Sequence, residues 1–227
     1  MINKFPLFLV VLIILCTSCS KKNEPYATPE SFTQDQWRLR EAETIVSNLT
    51  LRDKACQVLM TGIDGKNSFP SYLYAYFDGI VPGAILLFGY NIAGTPEDVH
   101  RYITSCREAF DSMGAAISPF FALDHEGGVV SRLSGITGPL PSAKKTAERL
   151  DPAMAADLYY YTGVQMRTLG ISMNLAPVAE VLTSSGSFLK SRSYGADPVT
   201  VQRYCEAAVR GYRFAGIIPV AKHYPGN

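Results

Sequence analysis

Charged and hydrogen-bonding side chains follow three apolar runs of this sequence. Asp124 comes directly after FFAL, Glu180 comes five residues after ISMNL, and Lys222-His223 comes directly after IIPVA. Carboxylates accept hydrogen bonds, lysine donates them, and histidine does either according to its protonation. Such a set could hold the hydroxyl groups of a polar small molecule such as a polyol.

Two arginines extend this set. Arg132 ends the stretch DHEGGVVSR, and Arg192 begins RSYGADP. Each residue alone has a plainer explanation. Gly127-Gly128 could be only a tight turn, Asp124 could cap a turn, and the arginines could pair with any nearby surface acid. Their position after successive apolar runs favours a shared binding site.

The sequence indicates neither a metal site nor a nucleotide or nucleic-acid partner. His125, Glu126 and His223 could be drawn as metal ligands, but no ligand spacing connects them, and we expect no metal and no organic cofactor. Neither a GxGxxG motif nor a P-loop is present. The 227 residues carry a net charge of +1, which gives no electrostatic footprint for nucleic acid.

Three amphipathic segments predict helices that lie between the apolar runs. Each segment opens with a good N-cap residue followed by proline, at Thr95-Pro96, Asp151-Pro152 and Asp197-Pro198. The first and third carry apolar residues at the i, i+3, i+4 and i+7 spacing of one buried helical face. Each segment ends near a glycine, at Gly114, Gly170 and Gly216.

The apolar runs themselves predict parallel strands covered on both faces. They begin at Gly83, Pro119, Ile171 and Ile217, and helical segments around Gln36–Asn48 and Leu51–Met60 precede them. The resulting order is β-α-β-α-β-α-β, which is typical of an α/β fold with a parallel sheet. In such folds ligand sites gather at the carboxyl ends of the strands, where the polar residues fall.

The first residues predict export. Met1–Lys4 is short and charged, residues 5–15 are apolar, and Thr17-Ser18-Cys19 resembles a bacterial lipobox. The apolar run is shorter than the ~20 residues of a membrane-spanning helix. We predict a lipoprotein signal peptide over 1–19 with a lipidated Cys19, a polar tether over 20–33, and a protein anchored to the bacterial cell envelope. A plain signal peptide and an uncleaved anchor are the alternatives.

Three stretches resemble, in order, the signatures of one enzyme family. Asp124–Arg132 resembles D-x-E-G-G-x-V-x-R, Arg192–Pro198 is similar to R-S-F-G-x-D-P, and Val220–Gly226 is similar to V-A-K-H-F-P-G. These are signatures of glycoside hydrolase family 3, in its bacterial β-N-acetylhexosaminidase branch. Leu49–Lys54 and Gly83–Phe88 also fit the opening of that family.

The resemblance implies a TIM-like (β/α) barrel. Residues 34–227 would be the amino-terminal part of it, because eight strands and ~250 residues make a whole barrel and about half of these strands are found here. We therefore expect a fragment of a longer product. Alone it would be poorly stable, with an open parallel edge at the strand Ile217–Ala221.

The resemblance also implies which residues bind the sugar. Carried over position by position, Asp124, Arg132, Arg192, Lys222 and His223 would hold the sugar in the −1 subsite. Asp124 would accept hydrogen bonds from hydroxyl groups, and the arginines and Lys222 would donate them.

The groups that would break the bond are expected elsewhere. The family is retaining, so a carboxylate attacks the anomeric carbon while a second group protonates the leaving oxygen and then activates water. In this branch the resemblance implies an aspartate nucleophile at a later strand and a His–Asp acid/base just after the K-H-F-P-G motif. Both would follow Asn227, which stands where the family commonly has histidine. We expect no catalytic residue in this chain and no activity from it alone.

The function implied is the release of terminal β-linked N-acetylglucosamine from a carbohydrate, such as a cell-wall fragment. A β-glucosidase-type member of the family is one alternative. A non-catalytic glycan-binding lipoprotein or an inactive truncated remnant is another, and an unrelated TIM-like binding protein is the last.

Overall fold

The structure is a computed structural model that describes residues 36–183 and 188–226. The predicted signal peptide over 1–19 and the tether over 20–33 lie outside the described residues. The chain divides into two compact units, Met1–Asn48 and Leu49–Asn227. In the first unit the structure describes one helix, α1 (Gln36–Asn48). Across the described ranges, no helix combines the length and the apolarity that a membrane crossing needs.

The second unit alternates helices with short strands. Its helices are α2 (Leu51–Gln57), α3 (Leu73–Phe77), α4 (Pro96–Ser112), α5 (Ser134–Thr137), α6 (Ala143–Arg149), α7 (Pro152–Thr168) and α8 (Pro198–Phe214), with a 3-10 turn at Lys190–Arg192. Its strands are β1 (Met60–Gly62), β2 (Ala84–Leu87), β3 (Phe120–Leu123), β4 (His125–Gly127), β5 (Val130–Ser131), β6 (Met173–Asn174) and β7 (Ile218–Pro219).

Five strands form one parallel sheet in the order β1-β2-β3-β6-β7. This confirms the α/β fold with a parallel sheet. Among the described residues β7 pairs with β6 alone, so the sheet has the open edge expected at Ile217–Ala221. The two remaining strands, β4 and β5, form a separate antiparallel hairpin that directly follows β3.

The three helices predicted from their first residues begin as expected. The side chains of Thr95, Asp151 and Asp197 each accept a hydrogen bond from the main-chain N–H three residues on, and a proline follows each of them. Local chemistry therefore sets where α4, α7 and α8 start.

The helical segment predicted over Leu51–Met60 was partly wrong. The helix α2 ends at Gln57, and Met60 begins the strand β1, where it pairs with Ala84. The end of α2 can pack closely against the start of β2 because residue 83 is glycine. A Cβ atom there would lie 2.0 Å from the carbonyl oxygen of Gln57. The apolar run before Gly62 is too short for periodicity to separate strand from helix.

The helices cover one face of the sheet and leave the other partly exposed. The strand residues that face the helices are fully buried: Ile85, Leu87, Phe121 and Leu123. They share one core with large buried side chains of α4, α7 and α8, namely Tyr102, Phe110, Tyr159, Met166 and Tyr212. On the opposite face Met60, Phe120 and Ile218 remain 38–42% exposed.

Candidate functional site

The carboxyl ends of the parallel strands bring the predicted residues to one edge of the sheet. Asp124 follows β3, and the main chain after β6 continues to pair with the main chain after β7. Val178 and Lys222 form a parallel bridge there, and the Ala179 N–H donates to the Lys222 carbonyl at 2.8 Å. This continued pairing carries Lys222 to the edge where Asp124 lies.

The β4–β5 hairpin positions Glu126 at the same edge. Its turn is made by Gly127 and Gly128, whose φ angles are +93° and +60°. A Cβ atom at Gly127 would lie 2.1 Å from the Pro141 carbonyl oxygen, and one at Gly128 would lie 2.6 Å from the Ser142 Cβ. The glycine pair therefore makes the tight turn and also lets the hairpin pack against the following segment.

A buried amide ties this hairpin to the neighbouring strand. The Asn174 Oδ1 accepts from the His125 N–H, and its Nδ2 donates to the His125 carbonyl, both at 3.0 Å. The His125 Nδ1 accepts from the Leu133 N–H at 3.4 Å and lies 3.2 Å from the Ser131 hydroxyl. Burial lowers the pKa of His125 to about 4, so the imidazole is neutral and structural.

Glu126 is the centre of the site. Its carboxylate accepts from the Arg192 Nε and one terminal nitrogen at 2.8 and 2.9 Å, a two-point pairing. The Lys222 Nζ lies 2.6 Å from the same carboxylate and donates to the Asp124 Oδ1 at 2.6 Å. Glu126, which was not predicted as a site residue, thus brings together three that were: Asp124, Arg192 and Lys222.

The pairing holds Glu126 and Arg192 in their charged forms. Burial alone would raise the pKa of Glu126, whose side chain is 3% exposed. The hydrogen bonds from Arg192 and Lys222 outweigh burial and bring the pKa of this carboxyl below its ordinary value. In turn, the hydrogen bonds to Glu126 raise the pKa of the Arg192 guanidinium. The four side chains carry two negative and two positive charges.

His223 lies beside this cluster and pairs with Glu180. The His223 Nδ1 and main-chain N–H both contact Oε1 of the Glu180 carboxylate, the latter at 3.3 Å. The Ser193 hydroxyl donates to the Glu180 carbonyl at 2.6 Å and so joins the Arg192 loop to this segment. The imidazole is 38% exposed and borders a cleft of about 470 Å³ between residues 179–181 and 221–226.

Arg132, like His223, is a predicted residue that lies outside the ion-pair cluster of Asp124, Glu126, Arg192 and Lys222. It follows β5, its main-chain N–H donates to the Asp124 carbonyl at 3.4 Å, and its side chain is exposed. Its guanidinium forms no ion pair with any carboxylate in the part of the chain that the structure describes. Its role in sugar binding stays a prediction.

Sequence reasoning missed Glu126 as a site residue, and it placed Glu180 at a strand end without predicting its pairing with His223. Both stand at or near strand ends, but their partners are far along the chain, so no local spacing reveals the pairs. One signal was available, because buried lysine and arginine side chains need a carboxylate partner. Among the described residues, no three His, Cys, Asp or Glu side chains are placed to hold a metal ion.

Comparison with known proteins decides the family. The model of the glycosyl hydrolase family 3 N terminal domain matches residues 50–227. The chain belongs to glycosyl hydrolase family 3. The family resemblance predicted from the three motifs is confirmed, and so is the fold, because the parallel sheet and its helices form part of a TIM-like (β/α) barrel.

Individual members of glycosyl hydrolase family 3 resemble this chain over most of its length. Beta-hexosaminidase LpqI of Mycobacterium tuberculosis is 33% identical over 189 residues, 82% of this chain and 46% of that protein. The solved structure of M. tuberculosis LpqI has a TM-score of 0.63 at 32% identity and covers 81% of this chain and 51% of that one.

A solved β-N-acetylglucosaminidase of the same family, from a Paenibacillus species, has a TM-score of 0.71 at 30% identity. The match covers 78% of this chain and 34% of that structure. Compared with the curated LpqI proteins that it matches, the chain spans about half of their length.

The buried imidazole of His125 predicts a pH-dependent stability. Below the ordinary imidazole pKa of 6.5 the unfolded chain takes up a proton that the folded chain accepts only near its pKa of about 4. Stability is therefore lost as the pH falls through this window, by about 2 kcal/mol between pH 7 and pH 5. Urea unfolding of the full-length protein that the gene encodes, at both pH values, measures this loss.

The matched variants are His125→Asn, which should remove most of that loss, and His100→Asn, which changes an exposed histidine of α4 and controls for the substitution. Glu126 acts in the same direction at lower pH, because its lowered pKa gives stability that is lost as that carboxylate is protonated. An unchanged loss in His125→Asn would show that His125 is not the responsible group.

Proposed function

We propose that this protein hydrolyses O-glycosidic bonds and releases terminal β-linked N-acetylglucosamine by a retaining mechanism. In this proposal the chain supplies the sugar-binding half of the site. Membership of glycosyl hydrolase family 3 supports the reaction, and the hexosaminidase names of the relatives support the sugar. The observation that carries the proposal is the cluster of Asp124, Lys222, Glu126 and Arg192 at the carboxyl edge of the sheet.

The cluster has donors and acceptors left over for a sugar. Asp124 uses Oδ1 for Lys222 and has a second oxygen that can accept from a hydroxyl group. The Lys222 ammonium has three protons, of which two point to Asp124 and Glu126, so one remains to donate. Arg192 pairs with Glu126 through Nε and one terminal nitrogen, and its other terminal nitrogen can donate as well.

His223 and Arg132 complete the proposed set of sugar contacts. Glu180 contacts the His223 Nδ1, which orients the ring. Arg132 is kept at this edge by its main-chain bond to Asp124. All five residues bind and orient the sugar, and the proposal places the carboxylate nucleophile and the acid/base after residue 227.

The Asp124 carboxylate should be needed for turnover. A hydrogen bond to a charged group contributes roughly 1.5–3 kcal/mol, so Asp124→Ala should lower kcat/KM by about 10- to 100-fold. The measurement is hydrolysis of 4-nitrophenyl N-acetyl-β-glucosaminide by the full-length protein, with Asp157→Ala on the outer face of α7 as the matched control.

Three outcomes would contradict the proposal. Equal rates for Asp124→Ala and the unchanged protein would remove Asp124 from the site. Faster turnover of 4-nitrophenyl β-glucoside would indicate the β-glucosidase-type member instead. Binding of N-acetylglucosamine without any turnover would indicate a glycan-binding lipoprotein.

We also infer that the protein is exported and anchored to the cell envelope through a lipid on Cys19, where it would meet cell-wall fragments. The Thr17-Ser18-Cys19 stretch after the apolar run supports this inference. Growth with a radioactive fatty acid should label the full-length protein, and Cys19→Ala should abolish the label. Equal labelling of the variant would contradict the anchor.

A further inference from the structure

A stack of two aromatic rings stands at the end of β2. The rings of Phe88 and Tyr90 lie nearly parallel, with 16° between their planes and 5.6 Å between their centres. Phe88 occupies the space above Gly62 of the neighbouring strand, where a Cβ atom would lie 2.9 Å from its ring. Tyr90 is 57% exposed. The stack therefore presents a flat aromatic surface to the solvent.

A polar pair lies at the end of the neighbouring strand β1, where Gly62 pairs with Leu86, so Asp64 follows β1 as Phe88 follows β2. The exposed carboxylate of Asp64 accepts a hydrogen bond from the hydroxyl of Tyr72, which is also exposed. A carboxylate and a hydroxyl group beside an aromatic face are the chemistry that a sugar ring needs. The apolar C–H face of the sugar packs on the aromatic ring, while its hydroxyl groups bond to the polar pair.

Buried side chains hold both strand ends in place. The Asn91 Nδ2 donates to the carbonyls of Ile63 and Gly65 at 2.9 and 2.7 Å, and its Oδ1 accepts from the Phe88 N–H at 2.8 Å. The Tyr102 hydroxyl donates to the Asp64 carbonyl at 2.9 Å. Three consecutive carbonyls around Asp64 are thus fixed, so the surface is organised before any ligand arrives.

The strand register places this surface beside the ion-pair cluster. Leu87 pairs with Leu123, so the next residues, Phe88 and Asp124, stand side by side on neighbouring strands and point to the same face of the sheet. Neighbouring strands lie about 4.8 Å apart. The aromatic stack therefore begins one strand away from Asp124, at the same carboxyl edge.

We propose that Phe88, Tyr90, Asp64 and Tyr72 form a second sugar subsite, which binds the sugar to which the terminal residue is linked. The inference rests on the proposed function, because an enzyme that removes a terminal sugar has only the leaving side of the glycan left to bind. The substrate class is then an oligosaccharide rather than a glycoside of a small alcohol. The subsite adds binding energy for a substrate with two or more sugars.

The test compares two substrates of the full-length protein, N,N′-diacetylchitobiose and methyl N-acetyl-β-glucosaminide. Tyr90→Ala should lower kcat/KM for the disaccharide by about tenfold, the change expected when one aromatic face loses its apolar contact. It should leave kcat/KM for the methyl glycoside unchanged. Asp64→Ala should act in the same way, while Tyr90→Phe should behave as the unchanged protein does.

Tyr161→Ala is the matched control, because Tyr161 is an exposed tyrosine on the outer face of α7. It should affect neither substrate. If Tyr90→Ala and Asp64→Ala change both substrates equally, or neither, the second subsite is refuted while the proposed function stands. If the unchanged protein turns over neither substrate, the proposed function fails and this inference fails with it.

Discussion

The buried charge of Glu126 is the constraint on which the site depends. A carboxylate that is 3% exposed is unstable without partners, and it finds them in Arg192 and Lys222. The three residues come from the β4–β5 hairpin, the loop before α8 and the end of β7. The pairing is complete only when all three segments are in their native positions. Lys222 also pairs with Asp124. The buried Glu126 therefore fixes the positions of the side chains that face the sugar.

Two buried amides support the strand ends in the same way. Asn174 accepts a hydrogen bond from the His125 N–H and donates one to the His125 carbonyl. Asn91 accepts one from the Phe88 N–H and donates to the carbonyls of Ile63 and Gly65. Each amide forms hydrogen bonds with main-chain groups at the end of a strand. These groups still need partners where the pairing between strands stops. The ion-pair cluster and the aromatic surface therefore rest on side chains that reach across from a neighbouring strand end.

Local chemistry explains what could be predicted from the sequence. The N-cap residues and prolines before α4, α7 and α8 act within a few positions, and the apolar runs of β2, β3, β6 and β7 are bounded by glycine and proline. The strand β1 was missed because its three residues show no periodicity. Glu126 was missed because its partners are brought to it by the fold, and the pairing of Glu180 with His223 was missed for the same reason. Arg132 was predicted from a motif, and its contacts in the described residues do not test its role.

The central claim is that Glu126 holds the sugar-binding groups together, and the most direct test is the free energy of unfolding of Arg192→Met in the full-length protein. Removing one partner of a buried carboxylate should lower that free energy by about 3 kcal/mol. The matched control is Arg101→Met, which breaks an exposed pair with Asp98 on α4 and should change stability little, because water screens that pair. Equal effects of the two substitutions would contradict the account.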